Sequence, residues 1–355
     1  KRLADGSIIA SNMDDRLMMA TSDLRFRLVD NPTGDNVICM ARDKQGQTWL
    51  GTRNNGVFVN GKQYAHDDNN PYSPIDNHVH DMLCDSKGRV WLLYQNYGLA
   101  VAVPDGKGGY LFRHLYPDNK LRSNLVFRRI VQDYRGYILV GTSKGLIRFL
   151  PERLLRSPKQ FEFVNFNKQN RDLDEVKSIY EDRHHRLWVG VRGYGLVMMD
   201  NTGKKPVVRR LYRAQRELSD DDIESIVEDK WGNIWIGTDR GINFLNHKTG
   251  QFRYFMPADR GMGNTCLEKC LLSLPDGTVA FGTNNGIALV NLHKLTLSRP
   301  TLPLAITDVM VNGVSLREHA DEHLEEGPVE KMRKLHLPYD ENSLQFRFSD
   351  FDYQN

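Results

Sequence analysis

No apolar run in this sequence approaches the roughly 18 residues that a membrane-crossing helix needs, so nothing in it reads as a transmembrane span. An excess of one charge is missing too. Lys and Arg total 48 against 45 Asp and Glu, and a net charge of +3 is too weak to argue for nucleic acid as a partner. Cysteine is sparse. Four residues, Cys39, Cys84, Cys266 and Cys270, make an odd disulfide framework for a chain of 355 residues and read as buried free thiols. Metal-ligand spacing is absent: His78-x-His80 can present two rings on one strand face, but no third ligand can be named, and neither metal nor cofactor is expected. The remaining composition, 26% charged and 40% hydrophobic, is ordinary globular usage.

What the chain does have is a repeat. "DKQGQTWLGTRNNGVFV", "DSKGRVWLLYQNYGLAV", "DYRGYILVGTSKGLIRF", "DRHHRLWVGVRGYGLVMMD", "GNIWIGTDRGINFLN" and "LPDGTVAFGTNNGIALV" are copies of one pattern, and "LADGSIIAS" is a weaker one. Aligned on the turn position they fall at residues 6, 46, 88, 136, 185, 232 and 277, with spacings of 40, 42, 48, 49, 47 and 45. Within a copy such as 221–255, four short apolar runs alternate with turns marked by Gly232, Gly237 and Gly241. Four antiparallel strands per 40 to 50 residues, repeated, is the sequence form of a β-propeller blade. Stacked blades bury both faces of a sheet, which explains why "NIWIG" is apolar at consecutive positions.

The recurring residues have structural work to do. Asp43, Asp85, Asp133, Asp182 and Asp229 each stand three residues before the turn position, where a carboxylate bonds turn N–H groups and glycine takes positive φ. Trp49, Trp91, Trp188 and Trp235 share one register and are expected to wedge between blades. Each buries about 200 Å², or roughly 5 kcal/mol gross at about 25 cal/mol/Å². Trp231, His184 and His185 lie inside turns and are expected to be exposed.

The repeated D-x-x-G-x-[IV]-W-[IV]-G-T-x-x-G-[IL] resembles the two-component regulator propeller repeat of bacterial hybrid two-component regulators, notably of gut Bacteroidetes. The tail "LAITDVMVNGVSL" and "LPYDENSLQFRFSDFDYQN" resembles the opening of the tyrosine-rich immunoglobulin-like domain that follows such propellers. The fold expected is all-β: a seven-bladed β-propeller over 1–297, followed by the N-terminal part of an immunoglobulin-like β-sandwich over 298–355. The innermost strand of blade one and the outermost strand of blade seven are expected to be missing or irregular. The charged stretch Arg317–Lys334 reads as a solvated loop. The resemblance further implies a periplasmic sensor region in a membrane-anchored homodimer. There, an oligosaccharide ligand would signal to a cytoplasmic histidine kinase that controls transcription.

In a propeller the loops joining strands two and three emerge on the face shared with the blade-to-blade connections. Here they supply Arg53, Asn54, Asn55, Tyr94, Gln95, Asn96, Tyr97, Arg192, Tyr194, Asp239, Arg240, Asn284 and Asn285. Tyrosine faces stack on pyranose C–H groups, Asn and Asp bridge adjacent hydroxyls, and Arg grips a carboxylate or sulfate. The competing reading is that Asn and Gly permit left-handed backbone in tight loops. Two other functions compete: a protein-binding scaffold, and a propeller glycan lyase or hydrolase. The enzyme reading is disfavoured because no repeated acid or histidine on the inner strands is seen to converge on a scissile bond.

Overall fold

The structure, a computed structural model, describes residues 1–3, 6–12, 15–21, 24–115, 125–157, 161–164, 175–255, 265–284, 286–291, 305–316, 334–335, 337–339 and 343–349. The chain divides into two compact units, Lys1–Asn291 and Leu292–Asn355. The proposed break at 297/298 and nearly all of the charged stretch Arg317–Lys334 lie outside the described residues.

The first unit is a succession of seven antiparallel meanders. Blades two to six have four strands each, and blades one and seven have three among the described residues. Blade six shows the pattern: Ile223–Glu228, Ile234–Thr238, Gly241–Leu245 and Phe252–Phe255, each paired with the next. Blade one has the strand that follows its Gly6 turn, Ile8–Ser11, and ahead of that turn Arg2 forms a single bridge with Ile8. Blade seven has inner strand Cys266–Ser273, then Val279–Thr283 and Gly286–Val290. Among the described residues of this unit, one element has no counterpart in the repeat: the short helix Pro151–Arg156 in blade four, which starts on a proline and buries Leu154.

The cores lie between blades. One cluster joins Trp49 of blade two to Met82, Leu92 and Phe112 of blade three, and another joins Trp91 to Ile130, Val140 and Phe149 of blade four. Trp49, Trp91, Trp188 and Trp235 are all at most 1% exposed. The turn aspartates explain their register. In blade six Asp229 Oδ1 accepts from the backbone N–H of Trp231 at 2.9 Å and of Asn233 at 3.0 Å, while Oδ2 accepts from Trp235 Nε1 at 3.0 Å. Blades two, three and five repeat the indole bond from Trp49, Trp91 and Trp188 to Asp43, Asp85 and Asp182 at 2.8 to 2.9 Å. Blade four lacks the tryptophan, and Asn201 Nδ2 of blade five takes its place on Asp133 Oδ2 at 3.1 Å.

Two turn residues expected to be exposed are not. Trp231 is half-buried against the next turn: a Cβ on Gly277 would stand 2.1 Å from its ring. His185 takes the left-handed conformation, φ 58°, where other copies have glycine, and stacks on Tyr134 at 3.7 Å. His184 is exposed as expected. All four cysteines are free thiols. Cys39 and Cys266 are buried, Cys84 and Cys270 partly so, and the sulfurs of Cys266 and Cys270 lie 3.9 Å apart.

The described part of the second unit is a three-stranded sheet of Ala305–Val311, Val314–Ser315 and Leu344–Ser349. Val309, Val311 and Leu316 form its small core with Leu335 and Leu337, while Ile306, Phe346 and Phe348 remain 44 to 64% exposed.

Candidate functional site

In four blades a backbone hydrogen bond ties the strand-two-to-three loop to the connection entering an inner strand, which places both on one face. Arg53 N donates to Asn36 O, Phe127 N to Gln95 O, Arg192 N to Glu175 O and Asn284 N to Thr265 O. Gly193 N reaches Asp222 Oδ1 at 3.0 Å.

The loop residues differ in what they leave free. Arg53, Asn54, Asn96, Tyr97, Arg192, Asp239, Arg240 and Asn284 are exposed, with 52% exposure for Tyr97. Asn55 is a structural residue as much as a surface one: its N–H donates to Asp35 Oδ2 at 3.0 Å and its Nδ2 to Thr33 O at 3.1 Å. Tyr94 does not belong to the site. It ends the strand Val90–Tyr94, is fully buried, and occupies the slot that Thr52, Thr142 and Thr238 fill in other blades, each also fully buried. Tyr194 is half-buried under the guanidinium of Arg213, 4.4 Å from its ring centroid. Asn285 lies outside the described residues.

Two of the arginines already hold carboxylates. Arg192 Nη1 lies 3.0 Å from Glu175 Oε2, and Arg240 Nε 3.2 Å from Asp220 Oδ2. Glu175 also binds Arg128, so one carboxylate bridges two guanidiniums. Arg53 makes no ion pair among the described residues and is the more available anion ligand.

Sequence reasoning missed a second set of side chains. In blades two, four, five and six the inner strand shifts register at the same place, between Val37 and Cys39, Phe127 and Arg129, Val176 and Ser178, and Ile223 and Ser225. The bulged residues are Ile38, Arg128, Lys177 and Glu224, and a bulge re-aims its side chain out of the regular alternation. His80 and Lys269 occupy the same slot in blades three and seven, five residues before the turn aspartate or its substitute Leu274. Lys177 pairs with Glu224, and Lys269 Nζ donates to His80 O at 2.8 Å. A bond between blades seven and three, which are not neighbours, marks the middle of the ring. The signal was a polar residue five positions before the turn aspartate or its substitute in five of these six copies, with Ile38 the exception.

Burial, reinforced by the charge of Lys269, pushes the His80 imidazole down to about 3, so the ring is neutral at physiological pH. Burial raises the Glu224 carboxyl against the opposing effect of Lys177. His80 has a stability consequence. Because its folded value lies below the ordinary 6.5, the unfolded chain takes up a proton that the folded chain refuses, and stability falls as pH drops from 6.5 towards 3. At pH 5 this amounts to about 2 kcal/mol, from 1.4 kcal/mol per pH unit. Denaturation of His80→Phe is expected to show a flatter pH dependence than wild type between pH 7 and 5; an unchanged slope contradicts a neutral buried His80.

The opposite face is less promising. A concavity of about 610 Å³ there is lined by Tyr180, Arg183, Glu228, Lys230 and Leu274. Its cations are engaged in blade contacts: Arg183 with Glu228 and Asp229 O, and Lys230 with Asp276 O. No cluster of three or more metal-ligating side chains occurs among the described residues, and no helix among them is long and apolar enough to cross a membrane.

Residues 31–54 and 217–240 match the two component regulator propeller family. The chain is 33% identical over 96 residues to histidine kinase P4 of Formosa agariphila, a match covering 25% of this chain and 7% of that protein. Among solved structures it is similar to PorZ, a surface component of the type-IX secretion system of Porphyromonas gingivalis. That match has 17% identity and a TM-score of 0.62, and it covers 85% of this chain and 48% of the other. It also aligns over 98% of its length with 58% of an extracellular domain named for a hybrid two component system of B. thetaiotaomicron, at 18% identity and a TM-score of 0.44. The chain thus spans a small part of the curated relative and about half of these structures. The seven consecutive sheets, with the PorZ likeness, are those of a β-propeller, and this propeller carries two-component regulator propeller repeats.

Proposed function

We propose that this chain is part of the periplasmic sensor region of a membrane-anchored hybrid two-component regulator, and that its strand-two-to-three face binds an oligosaccharide. The observation that carries the reading is the regulator propeller repeat at 31–54 and 217–240, whose loops contribute to this face. The exposed Arg53, Asn96, Tyr97, Asp239, Arg240 and Asn284 supply one aromatic face and several hydroxyl-bridging groups. The second unit is read as the start of an immunoglobulin-like sandwich, whose inner face the exposed Ile306, Phe346 and Phe348 resemble. In the whole protein, a homodimer, ligand binding would repack propeller and sandwich and so reach the kinase. Moving such a switch from 1:99 to 99:1 takes about 5.5 kcal/mol of differential affinity.

A calorimetric screen of the chain against neutral and acidic oligosaccharides tests the reading. Binding without hydrolysis supports it; product formation supports a lyase or hydrolase instead. With a ligand found, Tyr97→Ala and Arg53→Ala are expected to weaken binding about tenfold each while leaving the melting temperature unchanged, since exposed loop residues carry recognition. Wild-type affinity in both variants would move the site off this face.

A further inference from the structure

The corner where Lys269 meets His80 has more polar capacity than the protein uses. Lys269 has φ 60°, inside an irregular stretch of inner strand between Cys266 and Leu271. Non-glycine residues held in the left-handed region are strained, and such strain concentrates at ligand sites. The conformation carries the ammonium across the ring to His80 O, 2.8 Å away, which uses one of its three hydrogens. Lys269 makes no ion pair among the described residues. The nearby carboxylate of Asp81 is already engaged by Arg129 Nη1 at 3.1 Å, by the backbone N–H of Ile130 at 3.1 Å and by that of Met82 at 3.0 Å. His80 itself is 7% exposed, and its Nε2 has no hydrogen-bond partner. The ring of His78 lies parallel to it, 6.1 Å away. A buried ring nitrogen without a partner and a nearby ammonium that makes no ion pair can together take an anion.

We propose that Lys269 and His80 form an axial anion subsite that takes one carboxylate or sulfate group of the glycan, a proposal that rests on the reading of this face as a glycan site. Lys269 supplies the charge and one donor, and the neutral His80 ring donates from Nε2. The preferred ligand is then an acidic oligosaccharide, gripped at the centre of the ring by one anionic group and at the loops by its hydroxyls.

The test follows the Cε1–Hε1 NMR signal of His80 in histidine-labelled chain, during titration with sodium glucuronate and with sodium sulfate at constant ionic strength. The same titrations are run on Lys269→Asn, which tolerates left-handed backbone and removes the charge. Calorimetry compares an oligogalacturonate with its carboxyl-reduced counterpart. Expected are a saturable His80 shift with at least one anion, its loss in Lys269→Asn, and about tenfold or greater preference for the acidic over the reduced oligosaccharide. Glucuronate and sulfate distinguish the two anion types. An unmoved His80 signal with both anions, or a shift that survives Lys269→Asn, overturns the subsite. Oligosaccharide binding with an unmoved His80 removes the subsite and keeps the glycan reading; an anion shift with no oligosaccharide binding removes the glycan reading and keeps the subsite.

Discussion

Trp235→Ala is expected to destabilise the propeller by about 3 to 5 kcal/mol, the range for removing a large aromatic side chain from a closed core. Trp235 is 1% exposed, packs edge-on against Phe244 at 5.0 Å and stacks near Phe255 at 6.2 Å. The blades are built from backbone pairings on both sides of the ring, so the cavity cannot collapse fully. The loss also leaves Asp229 Oδ2 without its indole donor. Trp231→Ala, four residues earlier, removes only a half-buried ring lying on the Gly277 turn under Lys230, and should cost about 1 kcal/mol. Urea denaturation of the two variants reads the contrast. Equal midpoints would refute the placement of Trp235 in the core and Trp231 at a turn-to-turn contact.

Asp229→Ala should cost about 3 kcal/mol or more, because one carboxylate serves several donors. It accepts from the N–H groups of Trp231 and Asn233, from Asn233 Nδ2 at 3.0 Å and from Trp235 Nε1, and it is itself 1% exposed. Each buried donor left unpaired costs roughly 1 to 3 kcal/mol, partly relieved by water at the turn. Asp276→Ala is the control. In blade seven Leu274 takes the position of the turn aspartate, and the exposed Asp276 bonds Thr278 N at 2.9 Å and Oγ1 at 2.7 Å, so its loss should cost about 1 kcal/mol. Equal losses of stability in the two variants would mean that the indole-linked carboxylate is no stronger a fastening than an ordinary exposed turn.

The repeat was legible because blade packing imposes the same demand every 40 to 49 residues: a left-handed turn, an apolar strand, and a glycine where the inner strand presses close. At Gly190, for example, a Cβ would stand 2.2 Å from Ser178 Oγ. The bond from tryptophan to aspartate was hidden in plain spacing. Both residues were read, but their contact exists only once the turn folds the strand back over the carboxylate. Tyr94 was misplaced because its blade has Leu93 and Tyr94 where blades two, four, six and seven have glycine and threonine, which disguised the end of the strand. The helix Pro151–Arg156 has no repeat to announce it, being an insertion in blade four. The inner-strand bulge was invisible for a different reason. Register shifts leave the composition unchanged, so Arg128, Lys177 and Glu224 read as isolated polar residues until pairing showed them in one slot.

Hydrogen exchange of the chain, measured by mass spectrometry with and without a bound acidic oligosaccharide, tests the central claim most directly. Binding at the proposed face protects the loops at 53–55, 95–97, 192–194 and 239–240 together with the inner-strand stretch around Lys269, and leaves the aspartate turns at 43–46, 85–88 and 229–232 unchanged. Protection confined to those turns, or to the second unit alone, would contradict it.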